Sequence, residues 1–192
     1  MAGSSHRRSP LALVLLVLLA EEPMHPYRMR ELIKERAKDS VANVAQRNSV
    51  YQTVERLERV GLIRVRHTAR DEGRPERTVY ELTDEGTHTM GEWLRSMLSA
   101  PVAEYPEFPA ALASVAILTP PEVADCLEAR AEAITRELAG PIVRLPRVFL
   151  LEDEYRVVVA RAELAWLRGV VADLRSGSLE WSREWLEQIA RP

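Results

Sequence analysis

The spacing of apolar residues changes abruptly at Gly61, and this change limits the folds open to the chain. Residues 62–68 and 78–82 alternate apolar and polar side chains around a turn rich in glycine, proline and charge. Before Gly61, three apolar residues at i, i+4 and i+7 define one buried stripe of an α-helix: Val50, Val54 and Leu57. The sequence therefore predicts a helix over about 47–60, ended by Gly61, and then a β-hairpin.

Two more helices are predicted upstream. Ser9 and Pro10 suit an N-cap and a first helical residue, and ten apolar residues follow at 11–20. With the basic residues before it, this run also resembles a short secretory signal, although it is too short to cross a bilayer, which takes about 20 residues. We favour a buried core helix, followed by a second helix from Pro26.

Helix, helix, helix, hairpin and helix is the order of a winged helix-turn-helix domain. Thr83 begins the last of these helices as its N-cap. A short strand at 41–44 is also considered. We therefore predict a mostly α fold with a small β-hairpin wing: a loose tail at 1–9, a winged helix-turn-helix domain at 10–99, and a helical domain at 100–192.

The second domain is predicted as a series of helices. One covers 107–118, and the next begins at Thr119 with a capping box completed by Glu122. A longer helix covers 152–176. Two heptad series run along it, Val157, Leu164 and Val171, and Ala160, Leu167 and Leu174. Such a short seam fits either a coiled-coil contact or packing within the same domain.

Charge is unevenly distributed along the chain. The whole chain has a formal net charge of −3, but residues 25–77 carry +5 and residues 100–192 carry −5. A basic module is therefore hidden in an acidic total, as association with phosphate requires. The single cysteine, Cys126, permits no disulfide within the chain, so we expect a cytoplasmic location.

The N-terminal half resembles the PadR family of bacterial transcription regulators. The resemblance covers about residues 10–99 and rests on the following segments: the leucine-rich first helix, His25-Pro26-Tyr27, Ser49-Val-Tyr51-Gln-Thr-Val-Glu-Arg-Leu57-Glu-Arg-Val-Gly61-Leu-Ile63, Glu72-Gly73-Arg74-Pro75, and Val79-Tyr80-Glu-Leu82-Thr83-Asp84-Glu-Gly86. Two positions depart from the family pattern. Pro26 replaces a usual glycine, and Arg47-Asn48 stands where Pro-Gly is common. Beyond residue 100 only length and helical pattern match, to members whose C-terminal helices form the dimer.

The resemblance implies a homodimeric regulator that binds double-stranded DNA at a palindromic operator. Tyr51 and the first turn of the third helix are expected to meet the DNA backbone. The predicted base-reading and phosphate-binding residues are Arg47, Asn48, Ser49, Tyr51, Gln52 and Arg56 on the helix, and Arg70, Arg74 and Arg77 on the wing. Repression is expected to end when a small aromatic or cationic effector binds near the joint or in the helical half, where four aromatic residues are candidates: Trp93, Tyr105, Phe108 and Trp166.

The sequence also bears on other functional classes. The histidines and Cys126 have neither ligand nor nucleophile spacing, so we expect no enzyme, no metal site and no cofactor. A regulator of another winged-helix family would keep the DNA-binding logic with a different dimer. A winged-helix module for protein–protein contact, without a specific DNA target, and a secreted helical protein are the remaining alternatives.

Overall fold

The computed structural model describes residues 8–42, 47–69, 77–102, 105–140 and 145–189. The chain divides into two compact units, Met1–Ala103 and Glu104–Pro192. The first unit contains helices and a two-stranded antiparallel sheet, and the described part of the second is helical. The predicted fold class, mostly α with a small β-hairpin wing, is confirmed.

The first unit has the predicted order of elements. Their bounds are α1 (Pro10–Glu21), α2 (Pro26–Glu35), α3 (Arg47–Arg59), β1 (Ile63–Ala69), β2 (Arg77–Leu82) and α4 (Asp84–Ser99). A short 3-10 helix, Lys38–Ser40, follows α2. The strand considered at 41–44 is not formed by Val41 and Ala42, and residues 43 and 44 lie outside the described residues.

Helix α1 is a core helix of this unit. Ser9 caps it, because its hydroxyl accepts from the backbone N–H of Ala12, and Pro10 takes the first helical position. Apolar side chains on nearly all sides of the helix are packed into one cluster, and five of them are fully buried: Ala12, Leu15, Leu16, Leu18 and Leu19. The run that resembled a signal sequence is therefore explained by burial on most sides of the helix.

Helices α2 and α3 pack their apolar stripes into the same cluster. His25 caps α2 through Nδ1, which accepts from the backbone N–H of Arg28. The predicted stripe of α3 is confirmed, because Val50, Val54 and Leu57 are buried. Gly61 ends the helix with a φ of +76°, a left-handed conformation that glycine adopts without steric cost.

The wing, β1 with β2, leaves the core after its first residues. Ile63 pairs with Leu82 and is buried, but Val65, opposite Tyr80, is exposed. A register shift between Val65 and His67 marks a β-bulge, which bends the strand. The alternation of 62–68 therefore identified a strand correctly but overestimated how much of it faces the core.

The junction between the wing and α4 is tightly built. Thr83 donates from its backbone N–H to the Leu62 carbonyl and from its hydroxyl to the Gly61 carbonyl, and its hydroxyl accepts from the Gly86 N–H. A Cβ at Gly86 would lie 2.0 Å from the Leu62 carbonyl oxygen. Only glycine fits where the first turn of α4 crosses this backbone, which explains the Thr-x-x-Gly spacing in physical terms.

The second unit consists of an antiparallel helix pair with shorter helices around it. Its helices are α5 (Glu107–Leu112), α6 (Pro120–Leu138), α7 (Leu151–Ser176) and α8 (Arg183–Ile189), with 3-10 helices at Val115–Ile117 and Arg147–Phe149. The prediction of one helix over 107–118 is wrong, because the chain breaks after Leu112. The break lets the backbone become extended at Leu118 and Thr119, as the prolines that open α6 require.

Helices α6 and α7 pack on each other through the heptad positions of α7. Leu164, Leu167 and Leu174 are buried in this interface. Ion pairs connect the two helices near one end, in the middle and near the other end: Arg175 with Asp125 and Glu128, Arg130 with Glu163, and Arg156 with Glu137. The heptad seam is thus used within the chain. The predicted Thr119–Glu122 capping box is confirmed, and Gly177 ends α7 at a φ of +77°.

Candidate nucleic-acid interface

Helix α3 presents a polar face on the side opposite its buried stripe. Asn48, Tyr51 and Gln52 are exposed, and Ser49 is half-buried. Ser49 also accepts at its backbone carbonyl from the Thr53 hydroxyl, at 2.7 Å. Amide and hydroxyl groups are therefore held on a rigid helix, where they can reach a partner surface without unfolding anything. Arg47 begins the helix, and its side chain lies outside the described residues.

Arg56 differs from the other predicted residues of α3. It is half-buried, and its Nη2 donates to the Ser9 hydroxyl at 3.3 Å. The contact joins residues 47 positions apart, so the sequence pattern did not indicate it.

The wing exposes two cations that the prediction placed only in a strand. The side chains of Arg64 and Arg66 on β1 are 69% and 53% exposed, and both approach the Glu81 carboxylate, at 2.7 and 3.8 Å. Arg64 and Arg66 are two residues apart in the strand and therefore share one face, and this spacing could have identified them as exposed cations of the wing. Arg77 opens β2 opposite Ala69, but its side chain lies outside the described residues, as do Arg70 and Arg74 altogether.

Tyr80 connects the wing to both of its neighbours. Its backbone forms two hydrogen bonds with Met24, in the segment between α1 and α2. The Met24 N–H donates to the Tyr80 carbonyl at 3.1 Å, and the Tyr80 N–H donates to the Met24 carbonyl at 3.0 Å. Its partial burial, together with the Glu58 carboxylate of α3 beside its hydroxyl, raises the pKa of Tyr80. The phenol therefore stays protonated and can donate to Glu58, which ties the wing to α3.

The four aromatic residues predicted for an effector site have different surroundings. Trp93 belongs to the core of the first unit, and Tyr105 is 95% exposed. In the second unit, Phe108 and Trp166 are in edge-to-face contact, with ring centroids 6.3 Å apart. The structure thus brings two of the four together.

Two charged residues complete the Phe108–Trp166 contact, and the prediction did not include them. The Arg130 guanidinium lies 3.7 Å from the Phe108 ring centroid, and its Nε donates to Glu163 at 2.5 Å. A separate cleft of about 720 Å³ in this unit is lined by residues 116–120 and 181–183, without any of the four predicted aromatics.

In the part of the chain that the structure describes, no three His, Cys, Asp or Glu side chains are grouped so that they could hold a metal ion. Among the same residues, no helix combines the length and apolar character that a membrane crossing requires.

Comparison with known proteins identifies the domain around this interface. Residues 14–92 match the model of the transcriptional regulator PadR-like family, and no curated protein matches the chain. Bacillus subtilis PadR in complex with operator DNA has a TM-score of 0.66 at 19% identity, over 85% of this chain and 98% of that one. The same protein in complex with p-coumaric acid gives a TM-score of 0.67 at 18% identity, over 87% and 99%.

A third similar structure is the virulence activator AphA of Vibrio cholerae, with a TM-score of 0.62 at 19% identity, over 86% of this chain and 98% of that one. At such identities the likeness concerns the fold, and it extends through the helices of the second unit. The family likeness rests on the matched segment, residues 14–92, which is similar to the transcriptional regulator PadR-like family.

Proposed function

We propose that this protein is a homodimeric transcription regulator that binds a palindromic DNA operator, represses by occupying a promoter, and releases the DNA when a small-molecule effector binds. The observation that carries the proposal is the face of α3. Exposed Asn48 and Gln52 stand opposite a buried apolar stripe, on a helix followed directly by a two-stranded wing. This is how a recognition helix is presented to a major groove.

The exposed side chains of α3 divide into those that can contact base edges and specify the sequence, and those that can contact phosphates and position the protein. The amides of Asn48 and Gln52 are spaced by one helical turn, and an amide can contact adenine with two hydrogen bonds. Ser49 can contact any base edge. Tyr51, 41% exposed just after the first turn of α3, can donate to a phosphate near the N-terminus of the helix.

The wing supplies positive charge beside α3. Arg64 and Arg66 are exposed on β1, and the proposal assigns phosphate or minor-groove contacts to Arg70, Arg74 and Arg77. The net charge of +5 over residues 25–77 supports this assignment, because neutralising phosphates and releasing counterions provides most of the sequence-independent affinity. The operator complex of Bacillus subtilis PadR, a protein of the same fold, supports it as well.

Homodimerisation is supported by the outer face of α7. Its inner face is used by α6, yet large apolar side chains remain exposed on the other side: Leu151, Tyr155, Val158, Val159 and Trp166. A continuous apolar face of this kind marks an interaction site, and a two-fold contact buries the same face on both copies. Such a dimer would place two recognition helices about one DNA turn apart, ~34 Å.

The effector part of the proposal concerns the second unit. Phe108 and Trp166 form an aromatic contact there with the Arg130 guanidinium over one ring. A flat aromatic effector could replace either ring contact, and it would act by binding the DNA-free state more tightly than the DNA-bound state. The structure of Bacillus subtilis PadR with p-coumaric acid supports an aromatic ligand for this fold. The effector part of the proposal is tested by measuring how far p-coumaric acid quenches the tryptophan fluorescence of this protein. We expect Trp166→Phe to weaken the quenching.

DNA binding is tested by selecting duplexes from a random library and measuring affinity over a salt series. We expect Gln52→Ala to lose about 1–3 kcal/mol of discrimination at one base pair of each half-site. Arg74→Ala should weaken all sequences alike and lower the salt slope by about one. Arg136→Ala, an exposed arginine of the second unit, is the matched control and should change neither quantity. If no duplex binds better than random DNA at low salt, the proposed function is wrong.

A further inference from the structure

The start of α1 is attached to the recognition helix by a side-chain contact that the proposed function does not explain. Ser9 caps α1, and its hydroxyl oxygen lies 3.3 Å from Nη2 of Arg56 on α3. The same oxygen accepts from the Ala12 N–H at 3.2 Å. A hydroxyl oxygen accepts two hydrogen bonds, so Ser9 can satisfy both donors at once.

Arg56 lies at the edge of the polar face, as its burial shows. Gln52, one turn earlier, and Glu55 are exposed, whereas Arg56 is half-buried. Its guanidinium is thus turned towards the start of α1, while the exposed residues of α3 lie in the middle of the polar face. An arginine in this position is poorly placed to donate two hydrogen bonds to guanine, because that contact needs a guanidinium group that is free to enter the major groove.

The acceptor is itself firmly placed, which makes the contact useful for positioning. The Ser9 carbonyl accepts from the Leu13 N–H within the first turn of α1. Next to it, Nη1 of Arg8 donates to the Ser96 hydroxyl of α4 at 2.5 Å. Residues 8 and 9 therefore connect three helices, α1, α3 and α4, at one point.

A directional contact is needed there because the rest of the attachment is apolar. On its inner side α3 is held through Val50, Val54 and Leu57, and apolar contacts fix distance better than rotation about the helix axis. A hydrogen bond does restrict rotation, because its geometry is directional. On the opposite edge of α3, Glu58 meets Tyr80 of the wing, so the recognition helix is held at both edges of its polar face.

We propose that Arg56 is a positioning residue: its hydrogen bond to Ser9 sets the rotation of α3 with which Asn48 and Gln52 meet the bases. The inference rests on the proposed function, since it assigns a role within DNA recognition. It differs from the sequence-based expectation, in which Arg56 itself contacts a base.

The experiment compares Arg56→Ala, Ser9→Gly and the double variant in the full-length protein, by fluorescence anisotropy with the selected operator and its single-base-pair substitutions. Glycine removes the hydroxyl but remains a tolerable N-cap, so α1 is retained. We expect Arg56→Ala to lose about tenfold in operator affinity, Ser9→Gly somewhat less, and the double variant no more than Arg56→Ala. Ser9→Asp, which keeps both the cap and an acceptor for Arg56, should bind like the wild type.

Positioning has a signature that a base or phosphate contact lacks. Discrimination should fall evenly over the half-site, and the salt slope should stay that of the wild type. If Arg56→Ala removes discrimination at one base pair alone, Arg56 reads that base; if the slope drops by about one, it binds a phosphate. Either result, or additive losses in the double variant, overturns the inference while leaving the proposed function intact. A wild-type protein without any preferred duplex instead overturns the proposed function, and this inference with it.

Discussion

The two units of the chain differ in where their apolar side chains are placed. In the first unit they are collected into one core from α1, α2, α3, the wing and α4, including fully buried Leu15, Leu16 and Met29. In the second unit the buried residues lie mainly along the α6–α7 contact, and the outer face of α7 remains exposed, with Tyr155 at 72% and Val158 at 64%. The first unit buries most of its large apolar side chains within one chain, with Leu94 and Leu98 of α4 as exposed exceptions, whereas the second leaves one whole face of α7 uncovered.

This difference indicates how the two units are stabilised. The first unit should depend on close packing at particular positions, where a small change in volume has a large effect. The second should depend partly on a partner, because surface exposed in the single chain is available for burial between two copies. Substitutions that act on one unit and not the other can test this comparison.

The largest effect is expected at Gly86 in the first unit. Gly86→Ala places a Cβ 2.0 Å from the Leu62 carbonyl oxygen, so α4 must move away from the wing. We expect a loss of about 3 kcal/mol or more in the free energy of unfolding, at the upper end for overpacking, because backbone rather than a flexible side chain is in the way. Urea denaturation followed by circular dichroism measures it.

Gly91, one and a half turns further along α4, is the matched control. A Cβ there would meet only the flexible end of Arg95, at 3.6 Å. Since alanine is the better helix former, Gly91→Ala should be neutral or stabilising by up to about 1 kcal/mol. Equal destabilisation by both substitutions would show that α4 as a whole, and not its crossing with Leu62, limits the stability of the first unit.

The next effect is expected in the second unit, on the outer face of α7. Val158→Glu should leave the single chain folded, because the side chain is exposed there, but should weaken the proposed dimer. An unpaired charge buried in an interface costs several kcal/mol, so we expect the dimer dissociation constant to rise by about 100-fold or more. Sedimentation equilibrium measures the constant directly.

Ala133→Glu on α6 introduces the same charge at an exposed position and should leave the dimer unchanged. A dimer that withstands Val158→Glu would place the contact elsewhere. The apolar face of α7 would then stay exposed in the dimer.

Local signals explain why much of the fold could be predicted from sequence. Ser9, Thr83 and the Thr119–Glu122 pair cap helices through atoms within three residues, and Gly61 and Gly177 end helices by conformations that glycine alone adopts easily. The stripe of α3 follows from helical period. These features depend on short stretches of chain, so a single sequence contains them.

What the sequence did not indicate depends on contacts between distant residues. The break after Leu112 follows from packing and from the prolines ahead, while apolar composition alone favoured a longer helix. The Arg56–Ser9 contact and the Arg130–Phe108 contact join separate elements, and neither has a signal in local spacing. Trp93 appeared free for a ligand because its burial depends on the whole first unit.

The smallest effect is expected from the surface ion pairs of the α6–α7 contact. Arg175 donates to Glu128 and thereby lowers the pKa of that carboxyl group. Because the pKa of Glu128 is lower in the folded state, ionised Glu128 stabilises the folded protein at pH values above its unfolded-state pKa, near 4.5. This stabilisation is lost as the pH falls through the folded-state pKa. Glu128→Gln should therefore lower Tm by about 1–3 °C at pH 7 and by less at pH 3.

Glu132→Gln, one turn further along α6, is the control for this ion pair, because among the described residues the Glu132 carboxylate has no ion pair. It should leave both the Tm and its dependence on pH as they are in the wild type. High salt should reduce the Glu128→Gln effect, since the pair is exposed to solvent. If the effect instead persists at pH 3, Glu128 stabilises the helix pair through packing of its side chain, and the second unit depends on close packing more than the comparison with the first unit suggests.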